Sequence, residues 1–122
     1  MKLSAVCALL VLLAASPVAA HEVKSGPNGG RVVEAGDFHV EMVAKNNTID
    51  VFLSDHNDKA VAATGYTGLA ILAIDGKSQR ITLQPVDKIR LSGQAAGAVQ
   101  AQAKGVVRIT QPGGKSVQAK FD

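Results

Sequence analysis

Tryptophan is absent from the 122-residue chain, tyrosine occurs once and phenylalanine three times. A core built from this sequence must therefore be aliphatic, and the aromatic platforms on which nucleic-acid bases stack have little to be made from. Cysteine is almost missing as well. The single one, Cys7, lies in an apolar segment at the N-terminus, so the chain that follows has no disulfide, no thiolate metal ligand and no cysteine nucleophile. No long hydrophobic run occurs beyond that segment, because charges and turn residues interrupt each one, whereas a membrane span needs ~20 apolar residues. Charge of one sign is scarce too: 13 basic residues face 10 acidic ones, a formal excess of +3. Lys24, Lys45, Lys59, Lys88 and Lys120 are scattered rather than clustered, which argues against nucleic acid as a partner.

What is present begins with an export signal. Lys2 supplies a positive start, Leu3 to Ala15 is apolar apart from Ser4, and Ser16-Pro17 breaks the run. Val18-Ala19-Ala20 then places small residues at the −3 and −1 positions of a peptidase site, so residues 1–20 read as a cleaved signal peptide. Cys7 lies inside the apolar run rather than after it, which argues against a lipid anchor. The expected product is residues 21–122, one domain of about a hundred residues with net charge +2 once Lys2 is gone, exported and not inserted in the membrane.

Residues 21–29 are rich in glycine, proline and charge and read as an irregular arm. Alternation begins after Gly30. In Asp37–Ala44, Phe38, Val40, Met42 and Ala44 take one face, with Asp37, His39 and Glu41 on the other. In Thr48–Asp55, Ile49, Val51 and Leu53 alternate with polar residues. Asn46-Asn47 between them tolerates the positive φ of a tight hairpin turn. A turn there sets Ala44 against Ile49, Met42 against Val51 and Val40 against Leu53. A slip of one residue would move that whole apolar set into water.

Leu69–Ile74 is nearly all apolar and fits a central strand, and Asp75-Gly76 signals a hairpin into Arg80–Gln84. Lys88–Ser92 alternates again, with Ile89 and Leu91 inward, and glycines at 93, 97 and 105 limit the Ala/Gln-rich stretch between them to a loop with at most one turn of helix. Val106–Gln111 and Ser116–Phe121 flank Pro112-Gly113-Gly114. Seven or eight short strands with frequent turns predict an all-β antiparallel β-sandwich, immunoglobulin-like in the broad sense.

All three histidines lie beyond the signal. Cleavage after Ala20 makes His21 the first residue, and its α-amine and ring Nδ1 can then close a chelate ring on one ion. An α-amine, with a pKa of about 7.7–8.0, sheds its proton far more readily than a lysine does. Counting outward from Asn46-Asn47 puts His39 opposite Ser54 and His56 opposite Asp37, with Glu41 the next outward residue beyond His39. Two imidazoles and a carboxylate at one end of a hairpin are a candidate metal site, with nitrogen ligands that suit Cu(II) best among the divalent first-row ions. Zn(II) comes second. Solvated histidines on a half-exposed strand are the alternative. Met42 is a soft ligand by type, but its register places it inward. Asp55, Asn57 and Asp58 lack EF-hand spacing and a closing glutamate. Ser54, Asp55 and His56 are the residue types of a hydrolase triad, yet neighbours on a strand point to opposite faces, so no enzyme is expected.

The segment Gly26-Pro27-Asn28-Gly29-Gly30-Arg31-Val32-Val33-Glu34-Ala35-Gly36-Asp37-Phe38-His39-Val40-Glu41 resembles one that recurs in proteobacterial periplasmic proteins. It is found in the adaptor (membrane-fusion) subunits of heavy-metal efflux pumps. It is found also in small stand-alone exported proteins with a later Asp-His like Asp55-His56, which the chain resembles over nearly all of its mature length. The resemblance implies a periplasmic β domain tied to metal resistance. In the usual form a histidine precedes the two glycines, where this chain has Asn28. The expected function is thus periplasmic metal binding or sequestration by His21, His39, His56 and Glu41. The alternative is a non-catalytic module that docks on an envelope or efflux component.

Overall fold

Three two-residue turns organise the sheet, each with the backbone its sequence allows. Asn46 adopts φ +54°, Gly36 φ +56°, and Asp75 and Gly76 φ +50° and +76°. The last pair, positive at both central positions, has the sign pattern of a type I′ hairpin. The computed structural model describes residues 24–122; the segment expected to be a signal peptide and His21 lie outside the described residues.

Nine strands follow one another with no helix among them: β1 (Lys24–Ser25), β2 (Arg31–Ala35), β3 (Phe38–Lys45), β4 (Thr48–Ser54), β5 (Thr67–Ile74), β6 (Lys77–Pro85), β7 (Arg90–Gln94), β8 (Gly105–Thr110) and β9 (Ser116–Phe121). They pair antiparallel in the order β1-β2-β3-β4-β7-β6-β5-β8-β9. The expected all-β antiparallel architecture is therefore present. Its two layers are one curled sheet, with β6 pairing along β5 and, through Gln84 and Pro85, along β7. No helix of the described residues is long and apolar enough to cross a membrane.

The β3–β4 register is the one that the apolar pattern and the Asn46-Asn47 turn require. Ala44 pairs with Ile49, Met42 with Val51, Val40 with Leu53 and His39 with Ser54. Val40, Met42, Ile49, Val51 and Leu53 are buried on the inner face. Leu72, Leu83, Leu91, Val107, Ile109 and Phe121 belong to the same core. The core is aliphatic, as the composition demands; Phe121 is its one deeply buried aromatic, while Phe38 meets Tyr66 edge-on at 6.0 Å near the rim.

The curl brings β2 alongside β9 without joining them in a ladder. Arg31 bridges this seam. Its guanidinium stacks over the Phe121 ring at 5.3 Å and donates hydrogen bonds to the carbonyls of Ala103 and Asp122. Partial burial there pulls the Arg31 pKa below its ordinary value. An arginine suits the place, since its stem covers apolar surface while its fork donates to carbonyls.

The arm expected to be irregular is partly ordered. Lys24 and Ser25 pair with Val32 and Arg31, and a turn through Gly26–Gly30 returns the chain to β2. The seat of that turn is Glu41.

Candidate metal centre

Glu41 shares the outward face of β3 with His39, but the Gly26–Gly30 turn covers it and leaves it only 4% exposed. Its carboxylate accepts hydrogen bonds from the backbone N–H of Asn28 (2.9 Å), the Asn28 side-chain amide (2.9 Å) and the Gly30 N–H (2.8 Å). Gly26 packs so closely on the carboxyl that a β-carbon there would collide with it. Charge-assisted bonds of this kind make burial of a carboxylate tolerable. Glu41, expected as an oxygen ligand beside the histidines, is thus engaged in holding the arm. Asn28 gives both its backbone and its side-chain N–H to this carboxylate.

The carboxylate that the fold does bring to the histidines is that of Glu34. The β2–β3 turn at Gly36-Asp37 pairs Ala35 with Phe38 and Glu34 with His39, so both side chains rise from one face. Glu34 Oε1 lies 3.4 Å from His39 Nε2. The same turn touches the far side of the barrel-like curl, since a β-carbon on Gly36 would meet Val117 of β9 at 2.8 Å.

His56 arrives by a different route from the one its register suggests. β4 ends at Ser54, and residues 55–59 form a turn in place of further strand. Asp55 organises it: its Oδ1 accepts the N–H groups of Asn57 (2.9 Å) and Lys59 (3.0 Å), and its backbone N–H donates to the Lys59 carbonyl. The Lys59 N–H, foremost, draws the Asp55 carboxyl below its ordinary pKa. A bridge between Ser54 and Ala60 closes the base. The turn folds His56 back over His39, with Nδ1 3.3 Å from His39 Nε2 and the rings edge-on at 5.1 Å between centroids.

One ligand atom from each of Glu34, His39 and His56 therefore falls within 4.8 Å of the others. Among the described residues no other group of three such side chains converges in this way. Two donors held at ~2.0–2.1 Å by one tetrahedral ion are themselves ~3.3–3.4 Å apart. The His56–His39 and His39–Glu34 separations, 3.3 and 3.4 Å, have that value. Cis donors on a tetragonal Cu(II) sit closer, at roughly 2.9 Å, which side-chain rotation of a few tenths of an ångström supplies. His39 is the sheltered member, its side chain 19% exposed against 76% for Glu34. The cluster lies open at the surface, so an ion held there keeps positions free for water or another ligand.

No protein-family model matches the chain, and no curated protein or solved structure matches it significantly. The site thus has to be read from its own chemistry. Of the residues expected to bind metal, the fold brings His39 and His56 together and sets Glu41 apart, while His21 lies outside the described residues. Glu34 was missed, although a legible signal existed. Counting outward from Gly36-Asp37, as from Asn46-Asn47, pairs Glu34 with His39 directly.

Proposed function

We propose that this is an exported, periplasmic metal-binding protein that captures or sequesters a late divalent ion, Cu(II) first and Zn(II) second, and takes part in heavy-metal handling. The observation that carries the reading is the convergence of Glu34, His39 and His56. The donor set supports a borderline ion, since imidazole nitrogen and carboxylate oxygen suit Cu(II) and Zn(II), and the absence of thiolate disfavours Cu(I). The role is binding without catalysis.

In this reading, cleavage after Ala20 leaves His21 as the first residue, and its amine and ring add nitrogen donors. The direction of β1 favours that addition. Lys24 pairs with Val32 and Ser25 with Arg31, so the chain enters β1 from the Glu34 end of β2. Three residues span at most about 10 Å.

A second reading is a non-catalytic module that docks on an envelope or efflux component. Its support is the pair of large apolar side chains exposed beside the β6–β7 turn, Val86 at 56% and Ile89 at 54%. Ile89 is outward, where the alternation put it inward, because β7 begins only at Arg90.

Titration of Cu(II) and Zn(II) into protein beginning at His21, followed by calorimetry, separates the two. Stoichiometric binding that falls in a His39→Ala, His56→Ala double variant supports capture at the cluster. A further fall when one residue precedes His21 supports the amino-terminal chelate. Binding that neither change affects overturns this ligand set, and absence of binding overturns the metal reading and leaves the docking module.

A further inference from the structure

His39 has a neighbour on each ring nitrogen. Nε2 faces His56 and Glu34, while Nδ1 lies 3.3 Å from Oδ1 of Asp58. A carboxylate can only accept, so when an ion takes the Nε2 lone pair the remaining ring proton, on Nδ1, has Asp58 as its acceptor. Metal-bound histidines recurrently use a carboxylate in this way, to set the tautomer and turn the ring.

We propose that Asp58 is the positioning residue of this centre: it holds His39 in the tautomer and ring orientation that present Nε2 to the ion. The inference rests on the metal-binding reading above and adds to it the group that prepares the central ligand.

The turn that carries Asp58 shows how it is placed. Its backbone has φ +60°, a left-handed conformation that aspartate tolerates better than most residues with a side chain. The Asp58 N–H donates to the Asp55 carbonyl at 3.0 Å, and the neighbouring N–H groups of Asn57 and Lys59 go to the Asp55 side chain. With these bonds made by Asp55, the Asp58 carboxylate has no part in closing the turn. It stands free to meet His39. The same five-residue turn therefore delivers a ligand, His56, to one nitrogen of His39 and an orienting group, Asp58, to the other. With Nδ1–H given to Asp58, the lone pairs of His39 Nε2 and Glu34 Oε1 face each other at 3.4 Å, an arrangement that a cation between them stabilises.

The test separates orientation from folding by two substitutions. Glycine adopts the left-handed conformation freely, so Asp58→Gly keeps the turn and deletes the carboxylate. Asp58→Asn keeps size and one acceptor oxygen while removing the charge. Nitrogen-15 NMR of the Zn(II)-loaded protein should show His39 bound through Nε2 with its proton on Nδ1, and Asp58→Gly should lose part of that population. Zn(II) affinity, read by competition with a chromophoric chelator, should fall about tenfold in Asp58→Gly, the lower end of what such partners are worth because this one is exposed. Asp58→Asn should fall between, and neither variant should melt earlier than the parent. A loaded parent in which His39 binds the ion through Nδ1, or an Asp58→Gly variant with unchanged ring state and affinity, overturns the proposal. A parent that binds neither Zn(II) nor Cu(II) instead overturns the metal-binding reading itself.

Discussion

Glu34 stands directly across the β2–β3 ladder from His39, and its Oε1 lies 3.4 Å from the imidazole Nε2. The pairing makes the carboxylate the candidate oxygen donor of the proposed metal site. Glu34→Gln keeps the shape and removes the charge, so metal affinity should drop several-fold while the melting temperature of the metal-free protein stays within about 2 °C, as for most exposed substitutions. His39→Ala should cost more, at least tenfold in affinity, because it removes the donor that both other ligands face. Isothermal titration of the three proteins with Zn(II) gives the order.

Glu41 should behave in the opposite way. Glu41→Ala leaves the N–H groups of Asn28 and Gly30 without their acceptor under a covered surface, which should destabilise the fold by about 2–4 kcal/mol. Urea unfolding measures it. Affinity for metal in the folded variant should change less than twofold. A loss comparable with that of His39→Ala would return Glu41 to the ligand set.

Gly36 sets the register that places Glu34 opposite His39. Its φ of +56° disfavours any β-carbon, and one added there meets Val117 of β9 at 2.8 Å. Gly36→Ala should therefore cost about 1–2 kcal/mol from backbone conformation alone, with the contact adding to it. Thermal unfolding followed by circular dichroism is the check; an unchanged midpoint would mean that the turn relaxes.

The β6–β7 turn carries a pH dependence of known sign. Asp87 accepts the N–H groups of Ile89 and Arg90 and pairs with the Arg90 guanidinium at 2.8 Å. These partners, the Ile89 N–H foremost, lower its pKa from the ordinary value of 3.8. A carboxyl depressed in the folded state stabilises fully above its unfolded pKa, and that contribution is lost as pH falls through the folded one. The parent protein should thus lose more stability between about pH 5 and pH 2 than Asp87→Asn does. Parallel curves for the two over that range would show that the turn contributes nothing.

Much of the frame was legible from residues alone, and for a local reason. Side chains alternate with period two along a strand, and a tight turn of known position then dictates each cross-strand pair. Asn46-Asn47 with the apolar sets on either side was enough to place Val40 against Leu53 and His39 against Ser54. Gly36-Asp37 held the same information for Glu34.

What local pattern could not decide is which outward residues stay in water. Glu41 alternates outward as its position requires, yet a turn 11 to 15 residues earlier in the chain covers it, because its carboxylate can satisfy N–H groups there. His56 left the strand that would have set its face, and hydrogen bonds to Asp55 bent it back onto His39. The sequence by itself determined strands, turns and pairs, since those follow from backbone geometry between neighbours. Tertiary structure alone decided which carboxylate is buried and which nitrogens meet, since that depends on segments folding over one another.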